Sequence, residues 1–208
     1  MSTIQDKILE RIRKQGRGKV FIPKDFLDLG SRHAADQSLS RLVKSGDIQR
    51  LGRGLYRYPQ MNERLGIRLD PDRDEVAAAL ARRTGSRVVP SGAVAAHRLG
   101  LSTHVPARPV YLTDGRTRQV RIGNTLIQIR HAAPKELPAG NQTVAMVCQA
   151  LRFIGKEAVD DRVIAKIRKA LLPKQRRELL RNINYTTLWI SAALRQIAKE
   201  EADSAVQV

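Results

Sequence analysis

The sequence predicts an α+β fold in two domains: a small N-terminal helical domain with a β-hairpin, and a mixed α/β domain that ends in a helical region. Two observations predict this class. Apolar residues recur with helical spacing at both ends of the chain, and short β-branched or alternating runs lie between them. The chain has 208 residues and 42% hydrophobic content, enough for one or two small cores. We expect the first domain over residues 1–59, a linker over 60–75, the second domain over 76–202 and a frayed terminus over 203–208.

The first residues predict a helix, a short strand and a second short helix. Thr3 and Asp6 have the spacing of a capping box, and apolar residues then recur with helical period. The run "KVFIP" is β-branched and aromatic, which favours a strand. Pro23 suits the first turn of a short helix over residues 23–30.

A third helix is predicted over residues 31–45, with Ser31 as its N-cap and Gly46 after its end. One face of this helix is apolar and faces a core; it contains Ala35, Leu39, Leu42 and Val43. At 100° per residue the opposite face is entirely polar; it contains His33, Gln37, Ser40, Arg41 and Lys44. Each of these polar side chains can reach a base edge or a phosphate.

A β-hairpin follows, in which "DIQRL" and "LYRYP" are joined through Gly52-Arg53-Gly54. Helix, strand, helix, helix and hairpin is the order of a winged helix-turn-helix. In that fold the third helix enters the major groove of DNA and the hairpin lies along the adjacent backbone.

The winged-helix interpretation assigns roles to individual side chains. Arg53 at the hairpin tip can reach phosphate or the minor groove, and Arg50 and Arg57 flank it. Arg41 could bond guanine and Gln37 adenine, each with two hydrogen bonds. The alternative is that these residues are solvated charges on an ordinary helix pair.

The next segment predicts a turn, a helix, a strand and a helix. Asp70, Asp72 and Asp74 favour a turn and a helix cap over a metal site, because no His or Cys lies among them. "EVAAALARRTG" then predicts a helix and "RVVP" a strand. "SGAVAAHRLGL" predicts a helix whose small residues suit close packing against a sheet.

Three strands with period-2 alternation are predicted in "PVYLTDG", "RQVRIG" and "TLIQIRHA", with Asn124 at the last hairpin. Cationic residues recur along them without an intervening acid. They define a candidate second basic surface of Arg116, Arg118, Arg121 and Arg130. A second nucleic-acid contact there is left open.

From Gln142 onward the pattern predicts several amphipathic helices. Residues 152–181 hold 10 basic and 4 acidic residues. Such charge is more often a solvated face than a DNA surface, so we favour the former.

The charge of the chain favours a polyanionic partner. Lys and Arg number 38 against 20 acids, a formal net charge of +18. No apolar stretch resembles a signal peptide, and none approaches the roughly 18 residues of a membrane span. We therefore expect nucleic acid as the partner, no membrane contact and a cytoplasmic location.

The sequence contains no pattern that predicts catalysis, a metal or a cofactor. The four histidines are scattered, and no nucleophile pattern, phosphate loop or convincing carboxylate pair is present. The single cysteine, Cys148, excludes an internal disulfide and a cysteine-cluster zinc site, and its apolar context predicts a core residue. We expect a protein that is not an enzyme.

Four segments together resemble the AbiEi-type antitoxin family, in particular its short winged-helix branch of type IV toxin–antitoxin proteins. They are "DQSLSRLVKSGDIQRLGRGLYRYP", "SGAVAAHRLGLSTHVPARPVYLTDG", "IRHAAPKEL" and "QALRFIGKEAVDD". The second segment carries the more specific likeness, since many regulators share the winged-helix part.

The resemblance implies a bacterial, nucleoid-associated autorepressor that binds inverted repeats in its own promoter. It also implies a C-terminal domain that neutralises a co-encoded nucleotidyltransferase-like toxin in a phage-defence system, with or without direct contact. Carried onto this chain, the DNA-contacting positions are Arg32, His33, Gln37, Ser40 and Arg41 on the helix, with Arg50, Arg53 and Arg57 on the hairpin.

Three functions follow as hypotheses. The first is a DNA-binding autorepressor and antitoxin. The alternative is a protein-interaction module that binds the toxin directly, with DNA binding secondary. A third, an enzyme acting on nucleic acid, lacks a catalytic constellation. A homodimer on a palindromic operator and independent monomers on repeats both stay open.

Overall fold

The computed structural model describes residues 2–123, 125–137 and 141–199, and the protein is a mixed α+β protein, as the sequence predicts. The predicted frayed terminus at 203–208 and the predicted turn residue Asn124 lie outside the described residues. The chain forms two compact units. The first contains Met1–Val88 and Thr117–Ile129, and the second contains Val89–Arg116 and Arg130–Val208.

The first unit includes residues 60–75, to which the sequence assigns a linker. The helices in chain order are α1 Ile4–Gln15, α2 Arg32–Lys44, α3 Arg73–Thr84, α4 Gly92–Arg98, α5 Gln142–Ile154, α6 Asp161–Ala170, α7 Pro173–Leu179 and α8 Leu188–Ala198. The strands are β1 Val20–Phe21, β2 Gln49–Gly52, β3 Leu55–Arg57, β4 Met61–Asn62, β5 Ile67–Arg68, β6 Val88–Pro90, β7 Val110–Thr113, β8 Arg118–Ile122 and β9 Thr125–His131.

The predicted capping box at the start of α1 is present. The backbone N–H of Asp6 donates to Oγ1 of Thr3 at 3.2 Å, and the backbone N–H of Thr3 donates to the Asp6 carboxylate at 2.9 Å. Oγ1 of Thr3 also donates to the Asp6 carboxylate at 2.7 Å, and this bond, together with that from the Thr3 backbone N–H, lowers the pKa of Asp6. The cap fixes where α1 begins.

The second helix predicted at Pro23 is instead a single 3₁₀ turn, Pro23–Phe26. Its hydrogen bonds span three residues: Asp25 N–H donates to Ile22 O at 3.0 Å and Leu29 N–H to Phe26 O at 3.1 Å. The prediction of a helix through residue 30 was wrong, because the 3₁₀ turn ends at Phe26 and residues 27–30 form a turn and a bend before α2 is capped at Ser31.

The core of the first unit lies between α1, α2 and a three-stranded antiparallel sheet with strand order β1-β3-β2. The Phe21 and Phe26 rings lie 5.9 Å apart in this core. The fully buried residues that α1 and α2 contribute to the core are Ile8, Ile12, Ala35, Leu39 and Leu42.

The turn of the β2–β3 hairpin consists of Arg53 and Gly54, because Gly52 pairs with Leu55. Gly54 has a φ of +64°, a left-handed conformation that side chains disfavour, so this glycine permits the tight turn. A second short hairpin, β4–β5, occupies the predicted linker. Asp72 then caps α3 by accepting from Asp74 N–H at 2.7 Å and Glu75 N–H at 3.1 Å, as predicted.

Strands β8 and β9 pair antiparallel in a third hairpin. Arg118 lies opposite Ile129 and Val120 opposite Ile127, which puts these four residues on one side of the pair. Arg121 lies opposite Leu126 on the other side. Because Ile127 and Ile129 are buried, the side that carries Arg118 is the inner one.

The core of the second unit is built from α4 to α8. The sequence predicted that the small residues of α4 pack against a sheet. In the structure they allow close packing against helix α5. A Cβ atom on Gly92 would lie 2.6 Å from Cβ of Phe153 in α5. Cys148 is fully buried in this core, as predicted, and burial raises the pKa of its thiol to about 11. In the part of the chain that the structure describes, no helix is long and apolar enough to cross a membrane.

Candidate nucleic-acid interface

Helix α2 has two chemically distinct faces. Its inner face is sealed in the core, with Ala35, Leu39 and Leu42 at 0% exposure. The side chains of the outer face are all exposed; they are His33, Gln37, Ser40, Arg41 and Lys44. The helix therefore presents a continuous polar surface at the positions that the 100° periodicity predicts.

Two side-chain contacts order the first half of this surface. Nε2 of His33 lies 2.9 Å from Nε2 of Gln37, one turn further along α2. Arg32 is exposed, and its Nε forms an ion pair with Asp36 at 2.9 Å. The guanidinium of Arg32 keeps both terminal nitrogens for other partners, because only Nε is used in this pair.

Arg53 lies in the turn at the hairpin tip, and Arg50 lies on the preceding strand, β2. Both side chains are exposed. Nε of Arg50 donates to the carbonyl of Gly52 at 3.3 Å, which holds its side chain along the hairpin. The Arg53 side chain extends from the tip without an ion pair among the described residues.

Arg57 does not belong to the exposed surface, so its predicted contact with DNA was wrong. Its relative exposure is 4%. Its Nε donates to Oε1 of Gln49 at 2.7 Å, and Nη1 donates to the carbonyl of Leu69 at 2.7 Å. Burial lowers the pKa of Arg57, an effect that nearby Asp70 opposes. Arg57 thus connects the hairpin to the segment that follows β5.

Two arginines in the last turn of α3 support the surface, and the sequence did not point to them. Nη1 of Arg83 donates to the backbone carbonyl of Arg53 at 3.0 Å. Arg82 forms an ion pair with Asp25 at 3.0 Å and donates to the carbonyl of Val20 at 2.9 Å. Helix α3 therefore holds both the hairpin tip and the 3₁₀ turn. Each contact spans at least 30 residues, so no local pattern could have predicted it.

The four arginines of the candidate second basic surface do not share one face. Arg121 is exposed, whereas Arg118 points to the inner side of β8–β9 and donates from Nη2 to Oγ1 of Thr84 at 3.0 Å. Burial, and secondly the charge of Arg83, lowers the pKa of Arg118. The grouping of Arg118 with the others was wrong, because strand alternation turns it inward. Arg116 and Arg130 are exposed.

The described residues contain no group of three or more His, Cys, Asp or Glu side chains that could hold a metal ion. Asp72, one of the acids considered for such a site, is engaged in capping α3.

The fold and this surface define a class: a basic α+β protein that exposes a polar helix face and an arginine-tipped hairpin in its first unit. The chain belongs to a family of unknown function, DUF6088, which matches residues 7–180. The match includes α2, α3 and the hairpins β2–β3, β4–β5 and β8–β9. A comparison with curated proteins gave no match.

Proposed function

We propose that the protein is a DNA-binding transcriptional repressor whose first unit is a winged helix-turn-helix. Helix α2 enters the major groove, and the β2–β3 hairpin lies against the neighbouring backbone as the wing. The order α1, β1, 3₁₀ turn, α2 and β2–β3 supports this assignment, with the 3₁₀ turn in the place of a second helix.

The exposure of the outer face of α2 carries the proposal. A helix can contact bases only if its polar face is free, and the inner face of α2 is the one that packs in the core. Gln37 and Arg41 are one turn apart on the free face, and both residue types can bond a base with two hydrogen bonds. Ser40 and Lys44 extend the same face toward base edges and phosphates.

The net charge supplies the part of the affinity that does not depend on sequence. The chain carries 38 basic and 20 acidic residues, and each phosphate contact releases counterions from DNA. Arg53 and Arg50 are suited to phosphate contacts, because they are exposed on a hairpin tip of fixed geometry. Affinity should therefore fall steeply with salt concentration.

The resemblance to AbiEi-type antitoxins suggests which DNA is bound. We propose that the protein recognises repeats in its own promoter and represses a toxin–antitoxin operon. The second unit would then act in neutralising the co-encoded toxin. A nucleotidyltransferase-like reading frame beside the gene is the expected genomic context.

Footprinting on the native upstream region tests the function, and two substitutions test the division of roles. If Arg41 bonds a guanine, Arg41→Ala lowers discrimination at one base pair by about 1–3 kcal/mol. Arg53→Ala weakens native and random duplexes alike, because a phosphate contact carries no sequence information. Lys14→Ala, an exposed cation of α1, is the control and should change neither. Equal losses on both duplexes for Arg41→Ala would contradict a base contact.

A second candidate function is direct binding of a protein toxin by the second unit. Three leucines of its helical region are exposed, Leu172 at 68%, Leu180 at 48% and Leu188 at 92%, and exposed apolar side chains are available for a partner. Co-purification with the neighbouring gene product at high salt would support this function, and Leu188→Ser should weaken it. Free separation of the two proteins at all salt concentrations would exclude a stable complex.

A further inference from the structure

A pocket of about 400 Å³ lies in the first unit beside the hairpin tip. Its charged lining residues are all cations: Lys24 from the 3₁₀ turn, Arg32 from the start of α2, Arg53 from the hairpin and Arg83 from the end of α3. The three other lining residues are uncharged. We call this site the cationic pocket.

We propose that the cationic pocket binds one phosphate group of the DNA backbone, and that Lys24 and Arg83 contact DNA in addition to the residues of α2 and the wing. This inference rests on the proposed function, since it names a further contact of the same interface. It adds two residues that no local sequence pattern identified.

The cationic pocket concentrates positive charge. Four cations around one concave site repel one another, and an anion in the pocket removes that repulsion. Arg32 is the only one of the four with an ion pair among the described residues, and its acid partner Asp36 does not line the pocket. The pocket therefore keeps an excess of positive charge that a phosphate can neutralise.

The two arginines Arg83 and Arg32 keep hydrogen-bond donors for a ligand of the pocket. Arg83 uses Nη1 to donate to the Arg53 carbonyl, and Arg32 uses Nε to bond Asp36. A guanidinium has five N–H donors in a planar fork, so both arginines keep donors for phosphate oxygens. Lys24 is exposed and adds three further donors on a flexible stem.

Arg83 brings charge to the pocket from the end of a helix. It lies in the last turn of α3, and the inward-facing Arg118 contributes a second charge nearby. Neither arginine forms a salt bridge among the described residues. Arg83, which holds the hairpin tip, thus also raises the positive potential beside that tip. The DNA backbone passes there if the hairpin is a wing.

The small-ligand alternative is disfavoured by the lining. Pockets for small organic ligands have mainly apolar walls with few polar groups. In the cationic pocket, four of seven lining residues carry a positive charge. Phosphate, which needs charge and N–H donors rather than an apolar wall, fits better.

The test compares Lys24→Gln, Arg83→Gln and their double variant with Lys14→Gln, which removes an exposed cation of the same unit outside the pocket. Binding of the native upstream duplex and of a random duplex is measured over a range of salt concentrations. We expect each pocket variant to bind both duplexes roughly tenfold more weakly, and the slope of log affinity against log salt to become shallower by about 0.9. Lys14→Gln should stay within about twofold of the unsubstituted chain.

Lys24→Gln separates a direct contact from a structural effect, because Arg83→Gln also removes the bond to the hairpin tip. A loss with Arg83→Gln alone would show that Arg83 only positions the hairpin, and would overturn the phosphate contact. Thermal unfolding of each variant without DNA verifies that it is folded.

Binding of inorganic pyrophosphate distinguishes failure of the pocket from failure of the proposed function. Pyrophosphate should raise the unfolding temperature of the unsubstituted chain and of Lys14→Gln, and do so much less in the double variant. If the chain binds no specific DNA but shows this difference, the pocket is confirmed as a phosphate site and the proposed repressor function is wrong. If specific DNA binding is intact and the double variant matches the control on both ligands, the repressor function is supported and the proposed phosphate site is wrong.

Discussion

The hairpins β2–β3 and β8–β9 each carry an arginine that is wholly or partly buried, but only the arginine of the first hairpin has a hydrogen-bond partner for its Nε among the described residues. Arg57 donates to the Gln49 side chain and to the Leu69 carbonyl. Arg118 donates from Nη2 to Thr84, while its buried Nε has no hydrogen-bond partner among the described residues. Burial lowers the pKa of both groups.

An arginine in a basic hairpin can therefore lie in one of three environments, and each has a different consequence. It can be exposed and available to a ligand, as Arg53 and Arg121 are. It can be buried and bonded, as Arg57 is, and then stabilise the fold. It can also be partly buried with an unpaired nitrogen, as Arg118 is, and then cost free energy, because desolvation of that nitrogen is not offset.

The largest expected effect is that of Arg57→Met. The substitution removes two hydrogen bonds from a charged group and leaves the Leu69 carbonyl without its donor. We expect the free energy of unfolding to fall by about 2–3 kcal/mol, measured by urea denaturation. Arg50→Met on the same hairpin is the control and should stay within about 0.5 kcal/mol of the unsubstituted chain. A similar small change for Arg57→Met would show that its hydrogen bonds are not stabilising.

The next largest effect is expected for Gln49→Leu. This substitution would leave the Nε of Arg57 without a hydrogen-bond partner, as the Nε of Arg118 is. It removes the acceptor of the Arg57 Nε while leaving the Leu69 bond in place. We expect a loss of about 1.5 kcal/mol in the free energy of unfolding, about the cost of one unsatisfied donor. In a double-mutant cycle with Arg57→Met the two losses should not add, because both remove the same bond. Additive losses would contradict the pairing.

A smaller effect separates the exposed arginines of the two hairpins. Arg53→Gln should weaken DNA binding about tenfold, equivalent to about 1.4 kcal/mol, because Arg53 extends from the hairpin tip and lines the cationic pocket. Arg121→Gln, also exposed but on β8, should leave DNA affinity within about twofold. Fluorescence anisotropy with the native duplex measures both. Equal losses would assign β8 to the DNA interface as well.

The smallest expected effect is that of Arg118→Met, which should stabilise the fold rather than weaken it. Methionine keeps the apolar stem, removes the unpaired Nε and removes the repulsion with Arg83. We expect the free energy of unfolding to rise by about 1 kcal/mol, in contrast to the loss at Arg57. A loss of stability would mean that the bond to Thr84 outweighs the cost of burial.

Much of the first unit could be predicted because its signals are local. The capping box of Thr3 and Asp6, the cap at Ser31 and the helical period of α2 lie within a few residues of the structure they set. The burial of Arg57 did not follow from strand alternation, because all three residues of β3, Leu55, Tyr56 and Arg57, are buried.

The contacts that complete the site could not be predicted in this way. Arg83 reaches the hairpin tip from 30 residues away, and Arg118 reaches Thr84 from 34 residues away. The single 3₁₀ turn at Pro23 was missed for a related reason. Proline at a first turn favours helical backbone, but it does not distinguish bonds that span three residues from bonds that span four.

The contacts of α3 also show that the first unit does not end with the β2–β3 hairpin. A polypeptide cut after residue 59 keeps the polar helix and the arginine-tipped hairpin, yet it loses the acceptor of Arg57 at Leu69 and the donors Arg82 and Arg83. Shortened proteins intended for binding studies should therefore retain α3, even though this helix follows the apparent end of the domain.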